Sequence, residues 1–104
     1  MADPKHLRLV KSGVSKVNAW QKENEGTFLD LNGADLSNLN LNSINLNYAI
    51  LQNANLSGAD LSNATLCHAD LTGTRLVSTK FNSAYFYGVD MSGAFHHVAA
   101  NSKV

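Results

Sequence analysis

The sequence predicts an all-β solenoid of about three turns, with an N-terminal α-helix capping its first turn. Three observations carry this. A large apolar residue recurs at every fifth position, unbroken from Leu31 through Leu36, Leu41 and onward to Leu76, then Phe81, Phe86 and Met91. A small apolar residue usually sits two places earlier, as at Ala34, Ala49, Ala54, Ala59, Ala64, Ala69 and Ala84. The two places after each large residue are mostly Ser, Asn, Gly or Thr. A period of five matches neither the 3.6 of a helix nor the 2.0 of a flat strand.

Taken in chain order, residues 1–28 read as a capping helix and linker. Asp3 is a candidate N-cap and Pro4 suits the first helical position. Leu7, Val10, Val14 and Val17 fall at spacings of three, four and three, which form one stripe of a helix over residues 4–22. Leu9 and Trp20 widen the stripe, and Gly13 weakens the middle by about 1 kcal/mol relative to Ala. So short a helix is marginal alone and must pack on something.

Residues 29–93 are the repeat. Two apolar positions two apart share one side of an extended segment, and the Ser/Asn/Gly pair then turns the chain. Repetition winds the units into a coil with Leu and Ala inside. Stacked coils pair backbone groups that one coil alone would leave unsatisfied. The first turn has Leu29, Leu39 and Ile44 where later turns have Ala, a wider apolar mouth for the helix stripe to cover. Thr74 and Thr79 also point inward and need only a backbone partner. Residues 94–104 form a C-terminal cap or tail.

The array A-[D/N]-L-x-x, plain in Ala54-Asn-Leu-Ser-Gly-Ala-Asp-Leu-Ser-Asn-Ala-Thr-Leu66, resembles the pentapeptide-repeat proteins. The resemblance implies a right-handed, four-sided β-helix with twenty residues per turn. The pattern Gly13-Val14 followed by Asn18-x-Trp20, ahead of the repeat, is similar to cap segments found before such arrays. With that register, positions twenty apart are neighbours at about 4.8 Å. Asp60 then stacks under Lys80 as a surface ion pair worth at most about 1 kcal/mol. Asp70 stacks under Asp90 as a like-charge conflict.

Formal charge is zero over 104 residues, one domain's length. The repeat sets five aspartates against Arg75 and Lys80, a net of −3, whereas residues 1–28 carry five cations against three acids. A single cysteine, Cys67, excludes an internal disulfide. No apolar run reaches the roughly 20 residues of a membrane span, and the charged N-terminus lacks a signal-peptide core. A cytoplasmic protein without membrane or direct nucleic-acid contact is expected.

No catalytic set emerges. Asp30, Asp35, Asp60, Asp70 and Asp90 occupy the ordinary Asp/Asn place of the unit, where a solvated or backbone-bonded ladder explains them. Cys67 and His68 diverge around a corner without an orienting third group. His68, His96 and His97 lack carboxylates at ligand spacing. No enzyme activity, cofactor or metal is expected. The outward aromatics are more informative. Tyr48, Phe81, Tyr85, Phe86, Tyr87 and Phe95 are the candidate interface residues, and five of the chain's eight aromatics fall between 81 and 95. The expected function is a structural or protein-interaction module with a protein partner, including a homodimer through the C-terminal turn.

Two alternatives stand beside it. One is a module that caps or targets a longer protein. The other is the gyrase inhibition by DNA mimicry found among pentapeptide-repeat proteins. Duplex DNA carries about one charge per 1.7 Å, so a repeat rod of roughly 16 Å would need about nine negative charges, against the net of −3 here.

Overall fold

The computed structural model describes residues 1–94. Two helices, α1 (Pro4–Lys11) and α2 (Val14–Glu23), precede a coil of thirteen five-residue units. The single helix expected over residues 4–22 is broken. Gly13 adopts φ 126°, outside the helical region and readily accessible only to glycine. The Ser12 hydroxyl donates to the Leu9 carbonyl at 2.6 Å, and its amide closes α1 on the carbonyls of Arg8 and Leu9. At the other end of α1 the Asp3 carboxylate accepts from the Lys5 amide at 2.8 Å, with Pro4 in the first turn. The apolar stripe survives the break. Val10 and Val17 are buried in the core, and Leu7 and Val14 pack against it half-buried.

Each unit of the coil contributes one bridging residue, not a strand. Bridges are parallel and link residues twenty apart, from Asp30 with Ile50 to Asp70 with Asp90. A coil therefore takes four units and four turns. The short extended pieces anticipated from sequence shrink to a single paired residue because each unit also contains a turn. In twelve of the thirteen turns the residue three after the centre donates its amide back to the centre's carbonyl, as Ala54 does to Leu51 at 3.0 Å. The second residue after the centre has φ near +60 to +74° in every unit. That combination is a type II turn, which explains the Asn, Ser and Gly found there.

The Asp/Asn of the repeat has a matching role. Its side chain accepts from the amide two residues on, as in Asp60 with Ser62 at 2.9 Å and Asn55 with Ser57 at 3.0 Å. This local bond shapes eight of the thirteen corners and is the reason for the A-[D/N]-L order. In two units where the residue is not Asp or Asn, those of Thr65 and Arg75, the coil below substitutes: Asn47 Oδ1 accepts from the Cys67 amide, and Ser57 Oγ from the Val77 amide. Between coils, the centre's amide donates forward and the bridging residue's amide donates back. Leu36 to Asn55 at 2.8 Å and Asn55 to Ala34 at 2.9 Å show the pattern.

The core is the centre column with its inward partners. From Leu31 to Leu71 the centres are no more than 1% exposed. Burial then decays: Phe81 and Phe86 are half-buried and Met91 is 40% exposed. Thr74 is fully buried with its hydroxyl on the Leu71 carbonyl, and Thr79 bonds the Leu56 carbonyl.

The helices stand in for a missing coil at two of the first coil's four sides. At Asp30, the backbone amide donates to His6 Nδ1 at 2.9 Å and the carbonyl accepts from the Asp3 amide at 3.0 Å. At Asn45, the amide donates to Asn18 Oδ1 at 2.7 Å and the carbonyl accepts from Gln21 Nε2 at 2.9 Å. Asn18 Nδ2 also donates to the Ser43 carbonyl at 3.0 Å. Replacing Asn18 by Ala orphans the Asn45 amide, so Asn18→Ala is expected to lower stability by about 1–3 kcal/mol. A denaturant titration that matches wild type would refute this capping role.

Candidate functional site

The four ladders of the coil are chemically unequal. All seven charged residues of the repeat sit at bridging positions, in the ladders of Asp30, Ile50, Asp70 and Asp90; of Asp35, Asn55 and Arg75; and of Asn40, Asp60 and Lys80. The fourth ladder, Asn45, Thr65 and Tyr85, carries none. Its adjoining corner is equally uncharged, with Asn47, Cys67 and Tyr87 beside Tyr48, His68 and Gly88. One side of the rod is thus free of formal charge.

Along that corner runs an aromatic column. Phe28 stacks on Tyr48 with ring centroids 5.0 Å apart and 17° between planes. Tyr48 stacks on His68 at 5.0 Å and 19°. Tyr87 meets His68 edge-on at 5.3 Å. The spacing is that of successive coils, so the ladder itself brings the rings into contact. Phe28 and Tyr48 are each 48% exposed, Tyr85 63% and Tyr87 77%. Tyr48 and His68 occupy the left-handed turn position, at φ 62° and 60°. Bulky residues are rare there and are destabilised by roughly 1–2 kcal/mol, which stacking at about 0.5–1.5 kcal/mol per pair offsets.

The six candidate interface residues therefore do not form one surface. Tyr48, Tyr85 and Tyr87 lie on the uncharged side. Phe81 and Phe86 are inward centres of the last full coil, packed on each other edge-to-face at 5.1 Å and against the core. They fill the last coil among the described residues. Phe95 lies outside the described residues, as do His96, His97 and the 94–104 cap beyond Ala94. Phe28 belongs to the site and not to the linker expected over residues 1–28. Its signal was its place one twenty-residue period before Tyr48.

The aspartates are engaged locally. Hydrogen bonds from the Ser37 and Ser62 side chains hold the Asp35 and Asp60 carboxyls below their usual range, and the Thr72 hydroxyl does the same for Asp70. The Ser92 amide lowers Asp90, against a smaller opposing effect from Asp70. The anticipated Asp60–Lys80 ion pair does not form. Asp60 is committed to Ser62, and Lys80 acts on it only as a nearby charge. The one close approach of a basic side chain to a carboxylate among the described residues is His6 Nε2 to Asp3 at 3.8 Å. Asp70 instead accepts from Gln52 Nε2 at 2.6 Å.

The linkage sign follows from these lowered values. A carboxyl with a folded pKa below its unfolded one stabilises the fold above the unfolded value, and that contribution is lost as pH falls through the folded pKa. Melting temperature is therefore expected to decline below about pH 4 through these groups. Thermal melts at pH 6 and pH 3 check this, and equal midpoints would show that the turn bonds do not couple to folding.

No three His, Cys, Asp or Glu side chains converge at metal-binding distance among the described residues. Cys67 is half-buried and free. No described helix is long and apolar enough to cross a membrane.

Comparison with known proteins agrees with the coil. A family model described as pentapeptide repeats, in eight copies, matches residues 27–63 and 59–95. A search of curated proteins found no match. Among solved structures, the chain is similar to the pentapeptide repeat protein Rfr23 from the cyanobacterium Cyanothece 51142 (26% identity, 65% of this chain and 60% of that one, TM-score 0.45). It is also similar to HetL, a pentapeptide repeat protein involved in heterocyst differentiation regulation from Nostoc sp. strain PCC 7120 (26% identity, 62% and 39% coverage, TM-score 0.40). A further pentapeptide repeat protein from Nostoc PCC 7120 shares 29% identity over 75% of this chain and 74% of its own, with a TM-score of 0.28. The chain thus spans less than two thirds of the length of the first two. With its units matched from residue 27 to residue 95 and the turns built by recurring Asx and type II bonds, this chain belongs to the pentapeptide-repeat family.

Proposed function

We propose that this protein is a non-enzymatic protein-interaction module, a right-handed four-sided coil that holds an aromatic face rigid for a protein partner. The observation that carries this reading is the exposure of Tyr48, Tyr85 and Tyr87 on the one side without charges. Interface centres are depleted in charge and enriched in tyrosine. A scaffold in which every unit is tied to the next by backbone bonds presents such rings with little ordering to lose. Affinity capture from the native host tests it. A partner retained by wild type and lost by Tyr85→Ser/Tyr87→Ser is expected; identical captured sets would remove the reading.

A second surface belongs to the same proposal. Burial of the centre column falls from Leu76 at 3% exposed to Met91 at 40%, so the last described coil leaves the most apolar area open. With Phe81 and Phe86 at that end, the C-terminal coil forms the contact of a two-fold homodimer. Sedimentation at micromolar concentration is expected to give a dimer, which Phe86→Ser dissociates. A monomer at all concentrations would refute it.

A further inference from the structure

We propose that His6 is a pH-sensitive latch, which holds α1 on the first coil as a neutral imidazole and weakens its hold when the ring takes up a proton. What leads there is the kind of acceptor that the cap uses.

In the later coils, the bridging residue's amide donates to a backbone carbonyl twenty-one residues earlier, as Ile50 does to Leu29 at 2.8 Å and Asp70 to Ala49 at 2.9 Å. Asp30 has no earlier coil, and its amide donates to His6 Nδ1 at 2.9 Å instead. A carbonyl keeps its lone pairs at any pH. A protonated imidazole keeps none, because both of its nitrogens are then donors. With Nδ1 accepting, the ring is neutral and carries its proton on Nε2. Turning the ring over would set a carbon against the amide, so the bond fixes the ring's orientation as well.

Three elements face the ring. From the start of α1, the Asp3 carboxylate lies 3.8 Å from Nε2. From α2, the Trp20 indole meets it edge-on at 5.2 Å and brings no charge. From the coil, the Asp30 carboxylate is turned to its own corner, where it accepts from the Asn32 amide at 3.2 Å. The other charged groups of the helices, Lys5, Arg8, Lys11, Lys16, Lys22 and Glu23, are exposed. Protonation thus sets two effects against each other. It strengthens the attraction to Asp3, and it leaves two donors, Nδ1–H and the Asp30 amide, facing each other. The Asp3 side chain is 40% exposed, so the attraction is screened and small. A half-buried amide stripped of its acceptor bears its desolvation in full, and this effect prevails. The sign follows from linkage: closing the latch needs the neutral ring, so the hold is complete at neutral pH and declines as pH falls.

The rest of the cap lacks this property. Beyond the break at Gly13, α2 holds the Asn45 amide on Asn18 Oδ1 at 2.7 Å and the Asn45 carbonyl on Gln21 Nε2 at 2.9 Å. Those carboxamides do not titrate. Acid therefore loosens α1 and leaves α2 in place. It opens the Asp30 edge of the first coil, where unpaired backbone is a template for association.

Amide hydrogen exchange of the full chain, followed by NMR and corrected for the intrinsic pH dependence of exchange, tests this. A free imidazole titrates at about pH 6.5, so release is favoured about tenfold more at pH 5.5 than at pH 7.5. Protection of the Asp30 amide is expected to fall by about that factor, and that of the Asn45 amide to stay constant. Both pH values lie above the range in which carboxyls respond. His6→Asn puts Oδ1 where Nδ1 stands and takes up no proton, so it should protect Asp30 equally at the two pH values. The ring nitrogen shifts of His6 at pH 7.5 should report the Nε2–H tautomer. Four results would overturn the inference: equal protection of Asp30 at the two pH values in wild type, a fall that persists in His6→Asn, an equal fall at Asn45, or the Nδ1–H tautomer at pH 7.5.

Discussion

Removal of residues 1–24 is expected to abolish the soluble monomer, or to lower its melting temperature by on the order of 10 °C or more. The deletion strips Val10 and Val17 from the core and opens Leu29 and Ile44, all at most 2% exposed, to water. Burying one such side chain is worth about 1.5–3 kcal/mol, and each kcal/mol shifts the midpoint of a domain this size by roughly 4–8 °C. The same deletion releases both backbone groups of Asp30 and of Asn45, now held by Asp3, His6, Asn18 and Gln21. An edge of unpaired amides and carbonyls beside exposed leucine is a template for association. Light scattering and calorimetry of the truncated chain decide the matter. A truncation that stays monomeric and melts at the wild-type temperature would show that the helices are not a cap.

Much of the coil was legible because its signal is redundant. All thirteen units repeat a large apolar centre and a left-handed turn residue, and eight repeat the Asx acceptor, so local preference and global winding agree again and again. The helical segment offered one reading without repetition. Leu7, Val10, Val14 and Val17 hold helical spacing across Ser12–Gly13, because both helices turn the same stripe to the coil. The break therefore left no trace in periodicity; only the glycine marked it. The candidate site is legible in the twenty-residue period and hidden in the linear order of the chain. Tyr48 and His68 are one period apart, and Phe28 is one period earlier. Phe28 precedes the first Leu of the repeat, yet it starts the column. Grouping Phe81 and Phe86 with Tyr85 and Tyr87 followed their nearness in sequence, although alternation within each unit sends centres inward and their neighbours outward. The absence of Asp60–Lys80 contact has a local cause: stacking brings the backbones together, but the carboxylate is already held by Ser62.

Substituting the centre residue at successive coils is expected to produce a gradient of destabilisation that falls toward the C-terminus. Leu56 is fully buried in the middle of the rod, with Leu36 and Leu76 one coil to either side in the same column. Leu56→Ala removes its apolar volume where backbone bonds to both neighbouring coils prevent collapse. Its loss should reach about 2–5 kcal/mol, the range for buried leucine truncations that leave a cavity. Met91, in the same register but 40% exposed, has little burial to lose, so Met91→Ala should change stability by less than about 1 kcal/mol. Phe86→Ala, half-buried against Phe81, should fall between them. Because nearest-neighbour coupling makes a solenoid's stability a sum of unit and interface terms, the middle substitution weakens the contacts of Leu56's coil with both of its neighbours. Denaturant titrations of the three variants measure the gradient. Equal losses at Leu56 and Met91 would mean that the C-terminal coil is as enclosed as the centre, which the exposure of Met91 contradicts.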